Sequence, residues 1–168
     1  FRRVLFRSVA EAGLGGETAA RVNKTTKIFG GFFSFLWGAL VSTVFYKNRY
    51  MRIILDDTDI REGVYALVAC GNGRYFGGGM EICPGSIIDD GYFDITAIQD
   101  IGKLDLILNL PRVYRGAHLN HPKIWHRRAK KVVIQSDQRT LVNLDGEQPG
   151  IVEAEFTVLP GAVRLLIP

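Results

Sequence analysis

Two acidic turns hold the oxygen atoms with which this chain could do chemistry. Leu144-Asp145-Gly146-Glu147 closes a run of alternating apolar residues, and Asp-Gly at that place reads first as the tip of a hairpin. A glutamate at the edge of such a turn can project into a cleft and take a proton from a substrate as a general base, if its pKa suits. Asp89-Asp90-Gly91 is the second. As a bare pattern it is a turn. As chemistry it is a source of hard ligands for magnesium, one aspartate and backbone carbonyls leaving most of the ion's shell to water. Neither pattern alone names a reaction.

The remaining motifs narrow the chemistry by exclusion. Gly71-x-Gly73 followed by Gly77-Gly78-Gly79 has the wrong spacing for a dinucleotide fingerprint, and MEICPG follows it instead of a helix. Its glycines would let the backbone approach closely, as an anion nest or as a tight crossing between strands. His118, His121 and His126 are spaced for a metal, but Pro122 spoils a helical ligand pair, so hydrogen-bonding or surface histidines are expected. No G-x-S-x-G elbow occurs, which argues against serine hydrolysis. Cys70 and Cys83 form no C-x-x-C pair and read as two small buried hydrophobes. The run His126-Arg127-Arg128-Ala129-Lys130-Lys131 reads as a solvated edge entering a strand, or as a contact for anionic headgroups.

The elements that must position these residues follow from periodicity. Val9–Asn23 reads as a strand end, a Gly-rich turn and a short helix. Ile28 to Tyr46 is nineteen residues without a charge, near the length of a membrane span, yet its glycines, serines and threonine favour a buried or membrane-surface helix. The period then falls to two. Arg49–Leu55 and Ile60–Cys70 flank the turn Asp56–Asp59, Tyr92–Ile98 is a strand, and Leu104–Tyr114 is a helix that Pro111 breaks or kinks. Ala129–Ser136, Thr140–Leu144, Val152–Leu159 and Ala162–Ile167 complete the strands. The expected class is α+β, mainly β: a sandwich or barrel with a few helices.

Charge adds a caution. Lys and Arg number 21 against 17 acidic residues, but Arg2, Arg3 and Arg7 lie in the opening FRRVLFRS, which reads as a non-native, adapter-derived segment. Setting residues 1–8 aside leaves 18 against 17, and a net +1 offers little counterion release to a nucleic acid. Residues 9–168 are then one domain.

In order and spacing, several motifs together resemble the carboxy-terminal half of the bacterial diacylglycerol kinase family of soluble lipid kinases. They are Gly71-Asn72-Gly73-Arg74-Tyr75-Phe76-Gly77-Gly78-Gly79-Met80 with Cys83-Pro84, Asp89-Asp90-Gly91-Tyr92-Phe93-Asp94, Tyr114-Arg115-Gly116-x-His118-x-Asn120-His121-Pro122, Leu144-Asp145-Gly146-Glu147, and Leu159-Pro160-Gly161-Ala162-x-Arg164. The resemblance implies a β-sandwich of the diacylglycerol kinase and NAD kinase-like kind, completing a cleft with an α/β domain that carries a GGDGT-type motif for ATP. No GGDGT stands in this sequence, so the chain is expected to be the second domain alone, inactive by itself.

By the same resemblance Glu147 is the general base toward a lipid hydroxyl, and Asp145 supports it or the metal-water network. Asp90, with the backbone carbonyls of Ile87 and Tyr92, holds a structural Mg2+. ATP is the co-substrate, and residues that bind it are not assigned. The implied partners are a diacylglycerol-like lipid and, transiently, the inner face of the membrane from the cytoplasm. A homodimer is left open, and nucleic acid is not expected. An acceptor such as a sphingoid base or an undecaprenol-type alcohol is the nearest alternative, and an inactive lipid-binding module the more distant one.

Overall fold

A computed structural model of the chain describes residues 4–23 and 31–163, with 31–35 by backbone alone. β1 (Val9–Gly13) runs directly into α1 (Leu14–Val22), and α2 (Gly31–Phe45) precedes the hairpin of β2 (Arg49–Leu55) and β3 (Asp59–Gly71). The short ladder of β4 (Tyr75–Phe76) and β5 (Met80–Glu81) closes the glycine loop. Then come β6 (Phe93–Gln99), α3 (Lys103–Val113), a 3-10 turn at Ala117–Asn120, β7 (Ile124–Ala129), β8 (Lys131–Gln135), β9 (Leu141–Leu144), β10 (Glu147–Ile151) and β11 (Ala154–Thr157).

β3 is the axis of the sheet. Its first half pairs with β2 and its second half with β1 on one side and β6 on the other, all antiparallel. The order β10-β9-β1-β3-β2-β8-β11, with β6 on β3 and β7 on β6, makes nine strands of one bent sheet. The register slips between Tyr65 and Leu67. A bulge adds a residue and increases local twist. Consequently Ala66 and Leu67 both face one core while Tyr65 and Val68 face the other.

Two cores result. Ala10, Ala12, Met51, Ile53, Ile95, Ile134 and Phe156 are packed inside the fold of the sheet on itself. Val9, Leu67, Ala69, Ile82, Ile98 and Val113 form the second, on the face that the helices cover. The class is therefore α+β, mainly β, with the sandwich expected from the strand spacing.

The helix layer lies close because its glycines allow it. A Cβ on Gly16 would stand 2.4 Å from the Leu141 carbonyl oxygen, and one on Gly15 would overlap the Glu11 carboxyl group. α1 thus rests directly on the β9 backbone at Gly16 and on the Glu11 side chain of β1 at Gly15. α2 packs on α1, Gly38 against Val22. Its other side is open, Trp37 being 69% and Phe45 72% exposed, so of the two settings expected, buried or at a membrane surface, full burial is not the one found. Among the described residues no helix is long and apolar enough to cross a membrane.

Three local expectations change, and a fourth lies mostly outside the described residues. Pro111 sits in the last turn of α3 without ending it. β7, which carries His126, Arg127 and Arg128, precedes the strand expected at Ala129–Ser136. Val152–Leu159 shortens to Ala154–Thr157 as β11, and β10 stands before it as a strand not expected. The strand expected at Ala162–Ile167 falls outside the described residues from 164 onward. Residues 4–8, read as non-native, meet the fold at Phe6, which stacks on Phe93 at 5.4 Å.

Candidate functional site

Asp145 and Gly146 form a two-residue turn between β9 and β10, both with positive φ, 50° and 96°. That pair of angles is the hairpin geometry Asp-Gly favours. Leu144 and Glu147 face each other across it.

The turn is held from three sides. Asp145 Oδ1 accepts the Ser8 and Val9 N–H groups at 2.9 and 3.0 Å, and Oδ2 accepts the Arg7 N–H at 2.6 Å. The Asp145 N–H returns a bond to the Val9 carbonyl at 3.1 Å. Asn143 Oδ1 accepts the Gly146 N–H at 2.9 Å, and Asn23, just past α1, donates to the Gly146 carbonyl at 3.0 Å. Glu147 comes next and is exposed. Among the described residues no hydrogen bond or ion pair engages its carboxylate.

Beside the turn lies an open cleft of about 510 Å³, lined by Asn23, Tyr75, Gly77, Asn143, Asp145 and Gly146 among others. Its glycine-loop wall is fastened to the start of β1: the N–H groups of Asn72 and Gly73 donate to the Ser8 carbonyl at 2.8 and 2.9 Å, and Ser8 Oγ donates to the Tyr75 carbonyl. The loop thus makes a close crossing of chain segments at Gly73. Glu147 stands outside the lining residues, on the solvent side of the turn.

Below the turn is a residue that motif reading passes over. Glu11, at the centre of β1 and directly opposite Asn143 on β9, is 1% exposed. Asn143 Nδ2 donates to its Oε1 at 2.5 Å, while Oε2 has no partner among the described residues. Burial pushes its pKa up to about 7, against the lowering effect of the Asn143 bond.

The second acidic turn gathers its three residues. The Asp90 N–H donates to the Ile87 carbonyl at 3.5 Å, and Asp90 Oδ1 accepts the Tyr92 N–H at 2.9 Å. Asp90 Oδ2, however, is bonded to the Arg128 guanidinium, which lies 4.6 Å over the Tyr92 ring. One carboxylate and nearby carbonyls are donors that suit a hard cation, so the residues fit magnesium in kind. A metal ion there would displace a guanidinium already in contact with the carboxylate. Among the described residues no group of three or more His, Cys, Asp or Glu side chains is placed to hold a metal.

The histidines do not converge. His118 is buried with Nε2 on the Ile82 carbonyl at 3.1 Å, and burial lowers its pKa. His121 pairs with Asp105 at 3.3 Å, and His126 with the buried Asp94 at 2.5 Å. Both cysteines are free and buried. The basic run is largely engaged on its own surface: Arg128 with Asp90, Lys130 over Tyr92 at 5.0 Å, Lys131 with Asp57 at 3.0 Å.

The fold is a helix-covered antiparallel sandwich with an unengaged glutamate beside a clamped Asp-Gly turn, and comparison with known proteins gives its family. The family model described as the YegS C-terminal NAD kinase beta sandwich-like domain matches residues 8–167, and the chain belongs to that family. It is 32% identical over 117 residues to a diacylglycerol kinase of Mycobacterium tuberculosis (strain CDC 1551 / Oshkosh), covering 70% of this chain and 38% of that protein. It is 27% identical over 163 residues to a diacylglycerol kinase of Staphylococcus carnosus (strain TM300), covering 97% and 53%. The crystal structure of a diacylglycerol kinase from Bacillus anthracis str. Sterne superposes with a TM-score of 0.64 at 24% identity, over 93% of this chain and 50% of that one, and shows the fold. The chain spans about half the length of these proteins or less.

Proposed function

We propose that this chain is the part of an ATP-dependent lipid kinase that supplies the general base. The lipid hydroxyl gives its proton to the Glu147 carboxylate as its oxygen bonds to the γ-phosphorus. The bond from that phosphorus to the bridging oxygen breaks, and ADP departs. Phosphoryl transfer of this kind asks a protein mainly for alignment and charge neutralisation. What carries the reading is the contrast within four residues: Asp145 and Gly146 are fixed on three sides, and the Glu147 carboxylate beside them is exposed and unengaged.

Asp145 serves as the strut of the turn, its carboxylate being committed to backbone amides. A magnesium ion, if bound by Asp90 with the Ile87 and Tyr92 carbonyls, would supply charge that orders the acidic turn. The nucleotide is proposed to sit chiefly on residues of the longer protein, since the relatives run to about twice this length and no GGDGT-type motif stands here. A diacylglycerol-like acceptor follows the names of the relatives. Exposed Trp37 and Phe45 on α2, with Leu104 and Leu108 on the neighbouring α3, support contact with a lipid surface; use of ATP would put that surface on the cytoplasmic side.

The test is Glu147→Gln in the full-length kinase, with labelled ATP and diacylglycerol in mixed micelles. Turnover should fall by about 10²–10⁴-fold with ATP affinity retained. Parent-like turnover would remove Glu147 as the base, and preference for a sphingoid base or an undecaprenol-type alcohol would reassign the acceptor.

A further inference from the structure

Glu11 is a poor choice for the centre of a sheet unless it does something there. An ionisable carboxyl group with one unpartnered oxygen costs stability in an apolar setting. Yet the surroundings are shaped to it. Gly15 leaves the space its carboxyl group fills: a Cβ there would lie 1.9 Å from Cδ and 2.0 Å from Oε2. Asn143, also buried, spends its amide nitrogen on Glu11 and its amide oxygen on the Gly146 N–H. Two hydrogen bonds therefore join a buried acid to the turn that ends at Glu147.

We propose that Glu11 is a positioning residue, acting through Asn143 to set the turn from which Glu147 works. The role rests on Glu147 being the base. Ionised Glu11 makes a charge-assisted bond to Asn143 Nδ2, which polarises the Asn143 amide and strengthens its oxygen as acceptor for Gly146. Protonated Glu11 pulls less, and the Gly146 bond slackens. Two protonation states of one buried group thus give two strengths of hold on the turn.

Few other charges act on Glu11. β3 places Ala69 opposite it and β9 places Asn143. α1 brings Gly15 against it and carries Glu17 and Arg21 further along, neither of which shifts it. The segment after β5 contributes Cys83, whose thiol burial pushes up to about 12, so it stays neutral wherever Glu11 titrates. Change in hold on the turn near neutral pH is then the work of Glu11 itself.

The experiment is an NMR titration of the protein from about pH 5 to about pH 9, following the Gly146 backbone amide and the Glu11 carboxyl carbon. Both should move with one midpoint near pH 7, and in Glu11→Gln, which keeps the acceptor for Asn143, the Gly146 amide should stay flat. A Gly146 amide that is still while Glu11 titrates overturns the proposal, as does one that moves equally in Glu11→Gln. Should that variant not fold, the two parent midpoints decide: coincidence supports the coupling and divergence overturns it. No kinase activity is needed, so this result stands apart from the test of Glu147.

Discussion

Asp145 and Val9 hold each other twice, the Asp145 N–H donating to the Val9 carbonyl at 3.1 Å and the Val9 N–H to Asp145 Oδ1 at 3.0 Å. This ring ties the tip of one hairpin to the start of a strand 136 residues away. It also separates two acids that sit two residues apart: Asp145 is built into the backbone network, and Glu147 is not.

That separation predicts opposite phenotypes. Asp145→Ala removes the acceptor of three N–H groups, and bonds to a charged acceptor are worth roughly 1.5–3 kcal/mol when well shielded. These are near the surface, so the expected loss is about 2 kcal/mol in all. Urea unfolding measures it. Glu147→Gln, exposed and without a partner, should change stability by less than about 0.5 kcal/mol. Equal stability losses in the two variants would contradict the division of roles.

Glu11 makes stability depend on pH with a definite sign. Its folded pKa of about 7 lies above the ordinary 4.5, so between those values the native state holds a proton the unfolded chain has released. Stability from this group is complete below about pH 4.5 and falls as pH rises to about 7, by roughly 3 kcal/mol. His118 works in the other direction, its pKa being lowered by burial, so its contribution is lost as pH falls. Comparing the parent with Glu11→Gln cancels His118. The difference between their unfolding free energies should therefore change between about pH 5 and about pH 8, the variant gaining at the higher pH.

Much of this architecture was legible, for local reasons. The turns at Asp56–Asp57 and Asp145–Gly146 announce themselves because acidic residues and glycine tolerate positive φ, and all four have it. β2 and the first half of β3 carry polar residues on a face turned to solvent, while the second half of β3 and β6 run apolar because both their faces meet packed layers. β7 and β10 escaped notice as edge strands. An edge tolerates the charges of Trp125-His126-Arg127-Arg128 and the Pro149-Gly150 of β10, residues that argue against a central strand. The Glu11–Asn143 pair could not be read at all. Its partners are 132 residues apart and meet only because β1 lies beside β9. A carboxyl group between Ala10 and Ala12, and an amide inside the apolar Leu141–Leu144 run, were the available signs.

Arg128 should compete with magnesium for Asp90. The guanidinium contacts Oδ2 and covers Tyr92, so an ion can use that oxygen only after it leaves. Arg128→Ala should therefore increase the rise in Tm that magnesium produces, and Asp90→Asn should abolish it. An ion at ten times its Kd adds about 1.4 kcal/mol, enough to be seen by calorimetry. The same shift in the parent and Arg128→Ala would mean that metal and arginine do not share the carboxylate.

Gly15 and Glu11 should be coupled through the space they share. Gly15→Ala puts a methyl group where the Glu11 carboxyl group lies, and overpacking of this kind costs about 1–3 kcal/mol. Alanine's better helix propensity returns at most about 1 kcal/mol of that. Glu11→Ala, for its part, empties the site and leaves Asn143 Nδ2 without its acceptor. In the double variant the new methyl group enters the space vacated by the carboxyl group, so the two losses should sum to more than the measured cost by at least about 1 kcal/mol. Strict additivity in urea unfolding would mean that the helix shifts to relieve the clash. The close seating of α1 on β1 would then not depend on Gly15.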